Sequence, residues 1–186
     1  DFKFFTIAQI KDLKDRTLTM NGVSKSYAMT GWRIGYGAAT TEIIKAMAKL
    51  QSQSTTNPSS ISQAAAVEAL NGNQDFMLKR NQTFKERRDF VVETLNKIEG
   101  ISCLKPNGAF YVFPNCLKFL NKKDKTGKII KNDSDFVNSL LENYQVAVVQ
   151  GSAFGLEGYF RISYATSIDN LKKAIDRISN FCRSLS

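Results

Sequence analysis

Apolar and polar residues alternate over residues 17–23, where Leu18, Met20 and Val23 interleave with Thr17, Thr19 and Asn21, so a strand closed by a turn at Gly22 is expected there. A short apolar segment over 34–38 reads as a second strand. The period then changes. Thr40 or Thr41 caps a helix expected to run to about residue 53, with Ile43, Ile44, Met47 and Leu50 on one stripe. A polar loop follows and is stopped by Pro58. Ser60 with Gln63 predicts a capping box for an alanine-rich helix through Leu70, ended by Asn71-Gly72-Asn73. Over 74–98, Met77, Phe84, Val91, Leu95 and Ile98 recur at spacings that suit one face of a long helix.

Beyond Gly100 the segments shorten. Strands are expected around Ser102 and over 109–113, a helix over 134–143, strands over 146–149 and 159–163, and a last helix over 168–181 with Ile168, Leu171, Ile175 and Ile178 inward. Strand–helix alternation followed by a smaller mixed unit predicts an α/β first part, its strands in a largely parallel sheet, and a small α+β second part. The expected division is 1–85 and 86–186, with the long helix passing between them.

Composition narrows the class. With 42% hydrophobic residues, 13 Phe and 6 Tyr, the 186-residue chain can build a real core and is not globally disordered. No apolar run is long enough for a membrane span, and the first residues lack a signal-peptide pattern. There is no initiator methionine either, so a chain cut from something longer is expected. The absence of histidine excludes Ser-His-Asp and Cys-His nucleophile systems within the chain, and no metal site is expected. Cys103, Cys116 and Cys182 are odd in number and lack metal-ligand spacing, so a reducing cytoplasm is the simplest setting. The net charge of +9 is concentrated in Lys118, Lys122, Lys123, Lys125, Lys128 and Lys131, against Asp124 alone. Without interleaved aromatics this stretch reads as a solvated connection, and no nucleic-acid partner is expected.

The chemistry lies in Ser24-Lys25-Ser26-Tyr27-Ala28-Met29-Thr30-Gly31-Trp32-Arg33. A lysine amine can act as a nucleophile or a base, and a nearby arginine and hydroxyls suit an anionic carbonyl compound bound as a Schiff base. Pyridoxal phosphate is one such compound among several. An ordinary Ser-Lys-Ser turn is the alternative.

This segment resembles the cofactor-lysine motif of the class I/II aminotransferases, the fold-type I enzymes that use pyridoxal 5'-phosphate, and within them the prokaryotic aspartate aminotransferase subgroup. Ser54-Thr55-Thr56-Asn57-Pro58, Pro106-Asn107-Gly108-Ala109-Phe110-Tyr111, Gly151-Ser152-Ala153-Phe154-Gly155 and Phe160-Arg161-Ile162-Ser163-Tyr164-Ala165-Thr166-Ser167 resemble the family too, in its order. The resemblance runs from about Phe2 to the C-terminus and covers the C-terminal half of such enzymes. It implies the end of the large cofactor domain followed by the small domain. The phosphate loop, the aromatic ring stacked on the pyridine and the aspartate on its nitrogen would precede Asp1, so the chain alone is expected to be inactive.

The resemblance also assigns roles. Lys25 matches the residue that carries the cofactor and moves the substrate proton. Ser24 and Arg33 match phosphate ligands, Asn57 a supporting residue near the cofactor at a dimer interface, and Arg161 the arginine that takes the substrate α-carboxylate. Ser26 reads as a turn cap, while Trp32, Gly31 and Gly35 read as close packing beneath the site. Phe154 falls in a loop that moves over substrate. Gln150 stands where relatives commonly have proline, which frees the loop start without altering the chemistry. The implied whole protein is a homodimeric, cytoplasmic aminotransferase acting on aspartate or a similar amino acid with 2-oxoglutarate, with no membrane partner. A carbon–sulfur β-lyase and an aminotransferase-like regulatory domain are same-fold alternatives.

Overall fold

The computed structural model describes residues 3–186, which fall into two compact units divided between Met77 and Leu78. In the first unit, β1 (Thr19–Gly22) and β2 (Gly35–Ala38) pair antiparallel, with Thr19 opposite Ala38 and Gly22 opposite Gly35. Among the described residues these two strands make a two-stranded sheet of their own, and within it no parallel pair is formed. Residues 23–34 reverse the chain directly, without the long helical crossover that parallel neighbours need. A Cβ on Gly22 would lie 3.2 Å from the Ile34 carbonyl, so glycine lets the ladder close at the turn.

Helix α1 (Thr41–Ser52) starts after Thr40, as the pattern predicts. Helix α2 (Ser60–Asn71) differs at its start, where Ser59 is the N-cap residue. Ser60 is already helical, so the expected box cannot form, and the Gln63 amide instead donates to the Pro58 carbonyl at 2.9 Å. Among the described residues the buried apolar core here is Val23, Ile34 and Ala66, with Tyr27 and Met29 packed against it. No residue of α1 is buried.

Helix α3 (Asp75–Leu95) runs across the division and buries Val91, Val92 and Leu95 in the core of the second unit. That unit continues with β3 (Tyr111–Val112), α4 (Asp133–Tyr144), β4 (Val149–Gln150), β5 (Phe160–Ser163) and α5 (Ile168–Ser184). The strands form an antiparallel sheet in the order β3-β5-β4. Phe136 sits at the centre of the core, with the rings of Phe119, Phe160 and Phe181 at 5.8, 5.1 and 5.0 Å. Truncating such a ring to alanine costs roughly 3–5 kcal/mol.

Two strands are shorter than expected. Gln145 takes a left-handed conformation at the end of α4 (φ 58°), so pairing begins only at Val149 rather than at 146. Ala109 is also left-handed (φ 61°), which breaks the extended run before Tyr111. The expected strand at Ser102 is reduced to one bridge with Asn115.

The lysine-rich stretch is more than a solvated connection. Lys118, Lys123, Lys125, Lys128 and Lys131 are exposed, but Ile130 is fully buried and Asp124 is buried among donors. One Asp124 oxygen accepts the Thr126 N–H, the Thr126 hydroxyl and the Lys128 N–H; the other accepts the Ser139 hydroxyl at 2.6 Å. Lysine content hides this anchor, because one short acidic side chain does the holding.

The three cysteines are unpaired and buried, and burial pushes Cys103 up to about 11 and Cys116 and Cys182 to about 12, so they stay thiols at neutral pH. Among the described residues, no helix is long and apolar enough to cross a membrane, and no group of side chains is arranged to hold a metal.

Candidate active site

In the first unit the lysine turn begins where β1 ends. Val23, fully buried, roots it: its carbonyl accepts the Tyr27 N–H at 3.3 Å, and the Lys25 carbonyl accepts the Ala28 N–H at 3.1 Å. Lys25 therefore stands on the outside of a tight turn and is exposed. The Thr30 hydroxyl donates to the Ser24 carbonyl at 3.2 Å, and Arg33 Nη1 donates to the Thr30 carbonyl at 3.1 Å. Thr30 thus ties the arginine back to the turn that carries Ser24 and Lys25. Ala28 (φ 54°) and Arg33 (φ 57°) hold left-handed backbone that neither residue type favours. Strained backbone of that kind costs about 1–3 kcal/mol per residue, and it concentrates at functional sites.

An amine, a hydroxyl and a guanidinium on one accessible turn form a donor set that fits pyridoxal phosphate. The amine suits its aldehyde, and the fork and hydroxyl suit its phosphate. Asn57 is placed elsewhere, in the connection between α1 and α2 behind left-handed Thr56 (φ 65°). Its amide donates to the Pro58 carbonyl at 2.9 Å and is turned back on its own loop. The expectation that Trp32 and Gly31 pack closely beneath the site is not met. Trp32 is 42% exposed, and a Cβ on Gly31 would touch nothing within 4 Å.

In the second unit Arg161 lies on the central strand β5, opposite Val149. Phe160 and Ile162 on either side are buried in the core, so strand alternation turns Arg161 to the other face. There its guanidinium is held between two rings, with its carbon 4.3 Å from the Tyr111 centroid and 4.2 Å from the Phe154 centroid. Phe154 is in turn met edge-on by Phe113, at 5.7 Å and 87°. Among the described residues no carboxylate pairs with Arg161 and no hydrogen bond engages its side chain. A guanidinium with both faces covered and its N–H edges uncommitted is arranged to take a planar anion bidentately.

The segment leading to Tyr111 is fixed from two sides. The Tyr164 hydroxyl donates to the Ala109 carbonyl at 2.9 Å, and Arg88 Nη1 donates to the Pro106 carbonyl at 3.1 Å. Tyr111 ends the Pro106-Asn107-Gly108-Ala109-Phe110-Tyr111 motif, which by itself assigns it no task. Alternate positions on two strands could have suggested the pairing, but the register that joins them was not legible.

Residues 2–178 match the family described as aminotransferase class I and II. The chain is 59% identical over 186 residues to the aspartate aminotransferase of Rhizobium meliloti, covering 100% of this chain and 45% of that one. It is 56% identical over 187 residues to a probable aspartate/prephenate aminotransferase of Rickettsia felis, covering 100% of this chain and 46% of the relative. The crystal structure of the Rhizobium meliloti aspartate aminotransferase superposes with a TM-score of 0.95 at 59% identity, over 100% of this chain and 46% of the other. A Thermus thermophilus aspartate aminotransferase mutant superposes at 0.86 with 36% identity, over 97% of this chain and 47% of that one. This chain belongs to the class I and II aminotransferase family. It spans about half the length of the curated relatives it matches.

Proposed function

We propose that this chain is the C-terminal half of a pyridoxal-phosphate-dependent aminotransferase that moves the amino group of aspartate, or a similar amino acid, to 2-oxoglutarate. Residues 1–85 would close the large cofactor domain and 86–186 form the small domain, in a cytoplasmic homodimer. The observation that carries the reading is Arg161, a guanidinium gripped by Tyr111 and Phe154 with its donor edge uncommitted. Family membership and the printed activities of the relatives support the same conclusion.

Pyridoxal phosphate, when bound, supplies an electron-withdrawing ring that takes up the electrons of a broken bond at the substrate α-carbon. Lys25 would hold it covalently through Nζ, with Ser24 and Arg33 on its phosphate and Asn57 in a supporting place. Nζ of Lys25 would take the proton from the substrate α-carbon and later return one, which its flexible stem allows. Arg161 binds the α-carboxylate and so fixes the orientation of the Cα–H bond.

The test supplies the full-length protein and cofactor with aspartate and 2-oxoglutarate and follows both products. Oxaloacetate and glutamate should form in equal amounts. Release of ammonia and pyruvate from cystathionine, with no glutamate formed, would assign the β-lyase instead; no turnover of any amino acid would sink the enzymatic reading.

A further inference from the structure

Asp133 is a carboxylate only 3% exposed that no step above uses, and among the described residues it forms no ion pair. Burial of such a group costs free energy unless donors are aimed at it. It stands in the first turn of α4, where the helix N-terminus favours negative charge. Its Oδ2 accepts the backbone N–H of Ser152 at 2.7 Å, the length of a charge-assisted bond. Ser152 belongs to the 3-10 turn Gly151–Phe154, whose last residue lays its ring on Arg161.

That turn has little slack. Gly155 closes it in the left-handed region at φ 73°. The Gly151 N–H donates to the Tyr159 carbonyl at 2.8 Å, and the Leu156 N–H to the Gly151 carbonyl at 3.0 Å. A Cβ on Gly151 would collide with the Leu156 carbonyl oxygen. The Asp133 bond is the side-chain tie that fastens this turn to α4.

We infer that Asp133 is a positioning residue for Arg161. Through the Ser152 N–H it sets the turn that holds Phe154 against the guanidinium, and so aims the donor edge of Arg161 at the substrate α-carboxylate. This rests on the reading of Arg161 as the carboxylate site. The chemistry itself does not pass through Asp133.

The test measures calorimetric binding of succinate, a dicarboxylate with no amine to react, to the cofactor-loaded full-length protein. Asp133→Ala and Phe154→Ala should each weaken succinate about tenfold, and the double variant should be no weaker than either alone, because both act on one turn. Asp133→Asn keeps an acceptor but not the charge and should lose only about threefold. Cofactor affinity should be the same in all. Where Asp133→Ala is not recovered folded, the cycle uses Asp133→Asn, whose loss should vanish once Phe154 is alanine. Additive losses overturn the positioning role. So does unchanged succinate binding in a folded Asp133 variant while Arg161→Ala loses it, and the carboxylate site then still stands. Unchanged binding in Arg161→Ala removes the carboxylate reading and this inference with it.

Discussion

Tyr111 and Arg161 meet because of register. Tyr111 on β3 is opposite Ser163 on β5, so Arg161, two residues back on the same face, is its diagonal neighbour, and the guanidinium carbon reaches 4.3 Å from the ring centroid. The hydrogen-bonded ladder thus fixes one ring against the Arg161 guanidinium.

Arginine and lysine should not be interchangeable here. Arg161→Lys keeps the charge but loses the planar fork and its stacking on Tyr111 and Phe154. In the full-length protein it should lower kcat/KM for every α-amino acid by about one to two decades, as loss of about 1.5–3 kcal/mol of charged hydrogen bonding would give. The absorbance of the bound cofactor should stay nearly normal. Steady-state kinetics with several amino acids checks it, and a defect confined to one substrate would contradict an α-carboxylate role.

Lys25 and Arg33 should separate covalent from phosphate contributions. Borohydride reduction followed by mass spectrometry should leave the cofactor on the peptide containing Lys25, and Lys25→Ala should leave it unlabelled. Arg33→Ala should still be labelled at saturating cofactor, with the dissociation constant raised about one to two decades. A labelled Lys25→Ala protein would mean that another amine holds the cofactor.

Asp124 should link the second unit to pH. Desolvation pushes its carboxyl up, but the bonds from Ser139, Thr126 and Lys128 outweigh this and hold it at about 2. Its folded value is depressed below the ordinary one. Its contribution is therefore fully present above about pH 4, the ordinary aspartate range, and is lost as pH falls toward 2. Denaturant melts at pH 6 and pH 2.5 should show a smaller stability loss for Asp124→Asn than for the parent. Equal losses would remove the linkage.

The 186-residue chain by itself should self-associate. Among the described residues the buried apolar core of its first unit is Val23, Ile34 and Ala66, while Phe4, Leu50 and Ile61 are 75%, 75% and 72% exposed. Apolar surface of that kind drives association in water. Sedimentation should find oligomers at micromolar concentration, dispersed by the N-terminal half. A monomer stable on its own would contradict this.

Local signals marked α1, α2, α4 and α5 to within one to three residues, because helix periodicity and stop signals act within a few positions. Lys25, Ser24, Arg33 and Arg161 stand out in the sequence as candidates through their motifs' resemblance to the family. The antiparallel pairing of β1 with β2 was not legible, because the direction of a strand's partner depends on how residues 23–34 reverse. Nor was the left-handed backbone at Arg33 and Ala109, where no glycine gives a cue. Only tertiary structure decided that Tyr111 and Phe154 meet at Arg161 and that Asp133 bonds to the turn that carries Phe154. These contacts require the β3–β5 register, the 3-10 turn and the α4 N-terminus together, and each brings residues far apart in the chain into contact.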